Sequence, residues 1–316
     1  MKIAVDVMGG DYAPDEIIAG ACKWAQQPQC HAMLVGKEEV IKKELGKYNS
    51  EQLSIVNADE VIAMDESVLA LRKKKNSSIA VATKLVAEKS ADAVLSCGST
   101  AAQMASALFI LGRMKGIDRP PIVASIPGPA GKNTLLIDVG ANVDCKPLQM
   151  LQFAILGKVY AAAVMGRNNP AVGLLNNGSE ETKGNALALE AYSLLKNERS
   201  LNFIGNVEGR DLFAGRCDVI VCDGFTGNIV LKAMEGLGLY LGYALKKETG
   251  TIPAVMRQFD YSSVGGAPLL GVEGVSIVCH GSSKREAVFN GLNIAVECVT
   301  GDIVRQQKEA LGFLAG

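Results

Sequence analysis

Ten short runs rich in Val, Ile, Leu and Ala recur along this chain, at 3–7, 32–35, 53–57, 93–96, 122–125, 134–139, 171–175, 202–204, 219–222 and 275–278. Between them lie longer stretches with apolar residues at helical spacing, at 14–25, 78–89, 100–111, 146–164, 184–196, 228–247 and 284–299. Short, near-continuous apolar runs suit strands buried on both faces, and helices between them are the usual cover. The pattern predicts an α/β fold with a largely parallel sheet and helices on both faces. No low-complexity linker or internal repeat interrupts it, and the Pro/Gly clusters at 118–131 and 250–274 read as loops. A single domain over 1–316 is expected, with two intertwined lobes as the other arrangement.

Composition narrows the function. Apolar residues make up 48% of the chain and aromatic ones 5%, so the core is built from Ala, Val, Leu and Ile, and base-stacking platforms are scarce. A formal charge of -1 provides no global field toward nucleic acid or lipid, and nucleic acid is not expected as a partner. The first residues enter a strand without a signal-peptide pattern, and no apolar run reaches the roughly twenty residues of a membrane span, so a cytoplasmic location is expected. The eight cysteines include no C-x-x-C pair and the two histidines lie far apart, which suggests neither a zinc cluster nor a disulfide framework.

The segment 218–235, DVIVCDGFTGNIVLKAME, runs from an apolar strand through a small-residue turn into a helix. Free backbone N–H groups and a helix dipole meet there, an arrangement suited to an anion such as phosphate. It is no common nucleotide loop. Gly131-Lys132 is followed by Asn133 and lacks the first glycine of a Walker loop, and no G-x-G-x-x-G follows a strand. A phosphorylated substrate or inorganic phosphate is therefore expected, with no cofactor.

Turns of small polar residues follow six strands: MGGDYAP, SCGSTAA, DVGANVDCKP, NNGSEETKGN, CDGFTGN and HGSS. An open parallel sheet binds ligands outside the carboxyl ends of its strands. Each turn alone is also explained by the need for positive φ or side-chain caps. Turn geometry does not call for a lysine or a histidine, however, and six such turns on one rim would make a site. Lys183 would pair with phosphate, Asn185 and Asn228 would donate amide hydrogen bonds, and His280 would either protonate a leaving group or bond its own turn. Asp6, Gly9, Gly10, Asp11, Ser99, Thr100, Asp138, Asn142, Gly178, Asp223, Gly224, Thr226 and Gly227 complete the expected substrate-binding set. Asp6, Asp11, Asp138 and Asp144 could instead hold Mg²⁺ or act as Asx turns and caps, and no metal is included in the expected site. Cys97 and Cys145 lie in two of the turns, but nothing nearby in sequence would activate them as nucleophiles. Two basic clusters, Arg72-Lys73-Lys74-Lys75 and Arg113, Lys115 and Arg119, read as solvated faces or as a dock for an acidic macromolecule.

These motifs resemble, over nearly the whole chain, the bacterial phosphate acyltransferases of phospholipid synthesis, the acyl-ACP:phosphate acyltransferase family. The matching text is AVDVMGGDYAP (4–14), RKKKNSS (72–78), GRMKGIDRP (112–120), LLIDVGANVDCKP (135–147), VGLLNNGSEETKGN (172–185), NFIGNVEGRDL (202–212), DGFTGNIVLKAMEG (223–236) and HGSS (280–283). The resemblance implies a homodimer with a three-layer α/β/α Rossmann-like fold, similar to isopropylmalate dehydrogenases and phosphotransacetylases. It implies transfer of a fatty acyl group from acyl carrier protein to inorganic phosphate, giving acyl phosphate for a membrane glycerol-3-phosphate acyltransferase. It also implies that the acidic carrier protein meets the basic clusters. Two departures stand out: SCGSTAA (96–102) where the family pattern is SAGNTGA, and a shorter chain ahead of Phe259 than in members whose amphipathic helical hairpin makes peripheral membrane contact. The rival readings are an acyl-CoA-dependent phosphotransacetylase-like transferase and a phosphate- or carrier-binding scaffold.

Overall fold

The computed structural model describes residues 1–48, 52–259 and 265–312. The chain forms two compact units, Met1–Arg113 with Asp260–Thr300, and Met114–Phe259 with Gly301–Gly316. Each unit is a mostly parallel sheet covered by helices, in keeping with a three-layer Rossmann-like α/β fold.

The first unit's sheet contains β1 (Lys2–Asp6), β2 (His31–Gly36), β3 (Leu53–Asn57), β4 (Ala93–Ser96), β10 (Ala267–Leu269) and β11 (Val275–Val278), in the order β10-β11-β4-β1-β2-β3. All pairs are parallel except β10 with β11. Its helices are α1 (Asp15–Trp24), α2 (Glu38–Leu45), α3 (Ala70–Lys73), α4 (Ser78–Ala87), α5 (Thr100–Ser106), which runs on as a π-helical turn (Ala107–Leu111), and α9 (Arg285–Thr300). Strand alternation assigns the two faces. Ala4 and Val94 join Ile79, Ala82 and Val86 of α4 and Ala102 of α5 in one buried cluster. Leu95, next along β4, faces α9, where a Cβ at Gly291 would come within 2.8 Å of it.

The second unit's sheet contains β5 (Val123–Ile126), β6 (Thr134–Ile137), β7 (Ala171–Leu175), β8 (Asn202–Val207) and β9 (Val219–Val221), in the order β5-β6-β9-β7-β8, with only β5 antiparallel. α6 (Pro147–Ala163) is apolar nearly all round and packs against β6, β9, α7 (Ala186–Asn197) and α10 (Ile303–Gly312). α8 (Gly224–Thr249) leaves β9 and lies with its first turn on the end of β6.

All ten expected runs are strands, but they do not share one sheet. Apolar periodicity reveals that a strand exists and is silent on its partner, which packing selects. β10 was expected to be loop; its Pro268 lacks an N–H, which an edge position tolerates.

Two contacts have measurable consequences. Arg285 donates to Glu16 through its backbone N–H and Nε, both at 2.9 Å, tying α9 to α1 and holding the Glu16 carboxyl at about 2, against 4.5 for a free one. A lowered carboxyl pKa stabilises the fold above the unfolded value, and that contribution fades as pH falls from 4.5 toward 2. Thermal melts of Glu16→Gln are expected to trail the parent near neutral pH and to converge with it across that window; a gap independent of pH would refute the assignment. At the start of α8, a Cβ at Gly227 would sit 1.9 Å from the Asp138 carbonyl oxygen, whereas one at Gly236 meets nothing within 4 Å. In urea titrations Gly227→Ala should cost about 3 kcal/mol through overpacking. Gly236→Ala should stabilise by up to about 1 kcal/mol, the helix-propensity difference.

Candidate functional site

The six turns divide three and three. In the first unit they cap the neighbouring strands β11, β4 and β1; in the second, β6, β9 and β7.

In the first unit the turns are locked to one another. A Cβ at Gly9 would come within 2.8 Å of Gly98 and of the Asp6 carboxylate, and one at Gly10, where φ is +111°, within 3.0 Å of Cys97. The Asp11 N–H donates to the Gly281 carbonyl at 2.8 Å, joining the turn after β1 to the turn after β11. Asp6 accepts from Ser96 Oγ at 2.7 Å and from the Met8 N–H at 3.2 Å. Burial pushes its carboxyl above the usual range, against those hydrogen bonds. Asp6 therefore faces the interior and organises the turn. Ser99 caps α5 by accepting from the Ala102 N–H, and Asp11, Thr100 and His280 are exposed. The Ser282 N–H lies 3.2 Å from His280 Nδ1. A backbone N–H can only donate, so Nδ1 is the acceptor of that contact, and Ser282 Oγ lies 2.7 Å from the same nitrogen, so the ring is tied to its own turn.

In the second unit a cavity of about 460 Å³ opens at the ends of β7 and β9, with Asn176, Asn177, Asn185, Asp223 and Thr226 on its polar side and Met150, Leu174, Leu187 and Val230 beneath. Two helix N-termini meet it. Asn185 caps α7, its side-chain oxygen accepting from the Ala188 N–H at 2.9 Å. Asp223 caps α8, accepting from the Thr226 N–H and Oγ, each at 2.8 Å. The Gly224 N–H donates to the Asn142 carbonyl, also at 2.8 Å. The α8 terminus, the anion seat expected from sequence, thus has two N–H groups committed to protein acceptors and a carboxylate at its mouth. The α7 terminus has a neutral cap, which leaves the dipole's positive end uncancelled toward the cavity.

Asp138 and Asn142 lie beneath this cavity and not on its wall. The Asp138 carboxylate accepts from the N–H groups of Ile122, Ala141 and Asn142 and from Asn142 Nδ2, at 2.7 to 3.1 Å. Burial raises its pKa, opposed by those bonds. Asn228 is exposed on the first turn of α8 beside Gly140. Lys183 is exposed and does not line the cavity; its stem lies over Gly178, where a Cβ would be 2.9 Å from Lys183 Cγ. Its carbonyl accepts from Asn176 Nδ2 at 3.0 Å, which closes the turn after β7. Asn176 and Asn177 were not singled out from sequence, although Asx residues directly after a strand were the available signal.

Among the described residues, no three His, Cys, Asp or Glu side chains stand together as a metal site. Burial pushes the Cys145 thiol up to about 11, and the hydrogen bond to Cys279 together with burial raises that of Cys97, so neither is poised as a thiolate. The basic clusters also separate. Lys74 turns inward, donating to Glu66 and to the Val61 carbonyl at 2.7 and 2.8 Å, while Arg72, Lys73 and Lys75 are exposed. Arg113 bridges to Val272 in the first unit, and Lys115 and Arg119 are exposed in the second.

The chain is similar to known proteins in sequence and in fold. A family model described as fatty acid synthesis protein matches residues 1–306. Among curated relatives, a phosphate acyltransferase from Syntrophomonas wolfei is 58% identical, with all of both chains covered. One from Desulforamulus reducens is 52% identical over 98% of this chain and 97% of the relative. Among solved structures, a phosphotransacetylase from Streptococcus pyogenes aligns with a TM-score of 0.65 at 18% identity, covering 95% of this chain and 94% of that one. A branched-chain phosphotransacylase from Enterococcus faecalis gives 0.60 at 18% identity, covering 94% and 99%; at such identities the likeness concerns the fold. Full-length identity above one half, together with the family model, identifies this chain as a member of the phosphate acyltransferase family and an acyltransferase.

Proposed function

We propose that this protein transfers a fatty acyl group from the thioester of acyl carrier protein to inorganic phosphate, forming acyl phosphate for phospholipid synthesis. The observation that carries the reading is the cavity between the α7 and α8 N-termini, whose α7 end offers helix-terminal N–H groups and whose floor is apolar. An anion is favoured at the first and an acyl thioester against the second.

The chemistry asks little of a nucleophilic side chain. Phosphate is largely dianionic near neutral pH, and its oxygen attacks the thioester carbonyl carbon. The tetrahedral oxyanion collapses as the C–S bond breaks, and the proton that HPO₄²⁻ carried ends on the departing sulfur. Orientation, and N–H donors aimed at the oxyanion, supply most of the acceleration. Within the second unit, Lys183 adds a cation in the turn after β7, and Asn185 and Asn228 supply amides. The high thiol pKa values of Cys97 and Cys145 support direct transfer without an acyl-enzyme.

No single described helix is long and apolar enough to cross a membrane. The reading places the enzyme in the cytoplasm, handing acyl phosphate to a membrane glycerol-3-phosphate acyltransferase. A homodimer is supported by the distal half of α8, where Leu237, Leu239, Tyr240 and Tyr243 stand exposed together.

Acyl-carrier protein plus phosphate should yield acyl phosphate, trapped as the hydroxamate, at catalytic enzyme concentration and faster than acyl-CoA plus phosphate; the reverse preference would overturn the carrier assignment. Lys183, exposed and off the cavity wall, would act on phosphate through its charge, so Lys183→Ala should raise the phosphate KM by a factor of roughly five, the scale of an exposed ion pair of up to about 1 kcal/mol, and unchanged kinetics would remove Lys183 from the site. The double variant Cys97→Ala/Cys145→Ala should keep its turnover; a folded but inactive protein would restore the covalent route.

A further inference from the structure

The basic run at 72–75 borders a groove rather than a flat face. A cavity of about 690 Å³ lies between α3, α4 and the π-helical turn, floored by Leu71 and Ala80 and bounded by Arg72, Lys75, Lys84, Glu88 and Phe109. The floor is rigid, because Leu71 and Ala80 belong to the buried cluster beneath the sheet. Phe109 is 68% exposed, a large apolar side chain held out by the π-helical turn, and such turns recur at functional positions. Arg72 and Lys75, three residues apart, have no ion-pair partner among the described residues, unlike Lys74, which Glu66 occupies. Lys84 meets Glu88 at 3.5 Å, an exposed contact that exchanges readily.

We propose that this groove docks an acidic helix of the carrier protein, with Phe109 as the apolar anchor and Arg72 and Lys75 as partners for its carboxylates. The inference rests on the carrier-thioester reading above and assigns it a surface. Charge complementarity sets the partner's sign: three cations stand against the single carboxylate of Glu88 around an apolar floor, and Arg72 and Lys75 have no ion-pair partner among the described residues. Shape sets its class. A flat bilayer would meet only the protruding Phe109, whereas the recessed Leu71 and Ala80 are reached by a side chain on a convex element such as a helix. Of the four-residue basic run, only Arg72 and Lys75 line the groove, which the sequence could not distinguish.

The test compares two donors, acyl-carrier protein and the acyl thioester of N-acetylcysteamine, with Arg72→Glu/Lys75→Glu and, separately, Phe109→Ser. All three side chains are exposed, and a thermal melt of each variant checks its fold. The KM for acyl-carrier protein is expected to rise at least tenfold in both variants with kcat held, its salt dependence to flatten in the charge-reversed one, and the small-thioester KM to stay fixed. Equal losses with both donors, or an unchanged carrier KM, overturn the proposal. So does loss of binding to anionic phospholipid vesicles with carrier kinetics intact, which would make the groove a membrane contact. A parent enzyme that turns over the small thioester but not acyl-carrier protein overturns the carrier reading itself, and with it the groove's occupant.

Discussion

The second unit depends on one buried carboxylate. Asp138 sits just past the end of β6 and receives four hydrogen bonds, from backbone on both sides and from Asn142. Those bonds fold the turn whose Asn142 carbonyl takes the Gly224 N–H, and the Asp138 carbonyl leaves room for nothing larger than Gly227. The position of α8, and hence one wall of the cavity, follows from that turn. Asp6 has the corresponding task in the first unit, where with Ser96 it fixes the turn whose Gly9 and Gly10 press against Gly98 and Cys97 in the turn after β4. Both carboxyls are raised by burial and held against it by donors, so each is an internal brace at a strand end.

The amino-acid sequence made the elements legible and left their assembly open. Ten apolar runs are strands because burial on both faces demands continuous Val, Ile and Leu. Which strands pair depends on contacts between residues far apart, so neither the division six and five nor the return of the chain into the first unit could be read from periodicity. β10 escaped because Pro268 signals a break, and α2 and α3 escaped because eight and four residues carry too short a pattern.

The site shows the same limit at the level of side chains. An Asx residue after a strand looks identical in sequence whether it faces a ligand or braces backbone. Asn185, Asp223 and Thr226 border the cavity; Asp6, Asp138 and Asn142 point into the protein. Sequence could not sort these, since the direction of a short polar side chain is decided by the donors that folding brings within reach. Lys74 differs from its neighbours for a similar reason: the Val61 carbonyl and Glu66 approach it from an earlier segment.

The contrast between the caps of α7 and α8 has a further consequence. An amide closes one helix start and a carboxylate the other, and both border one open cavity. The potential therefore slopes across that volume, positive at the α7 start and negative at the α8 start, so the two ends of any charged molecule that enters it meet unlike surroundings.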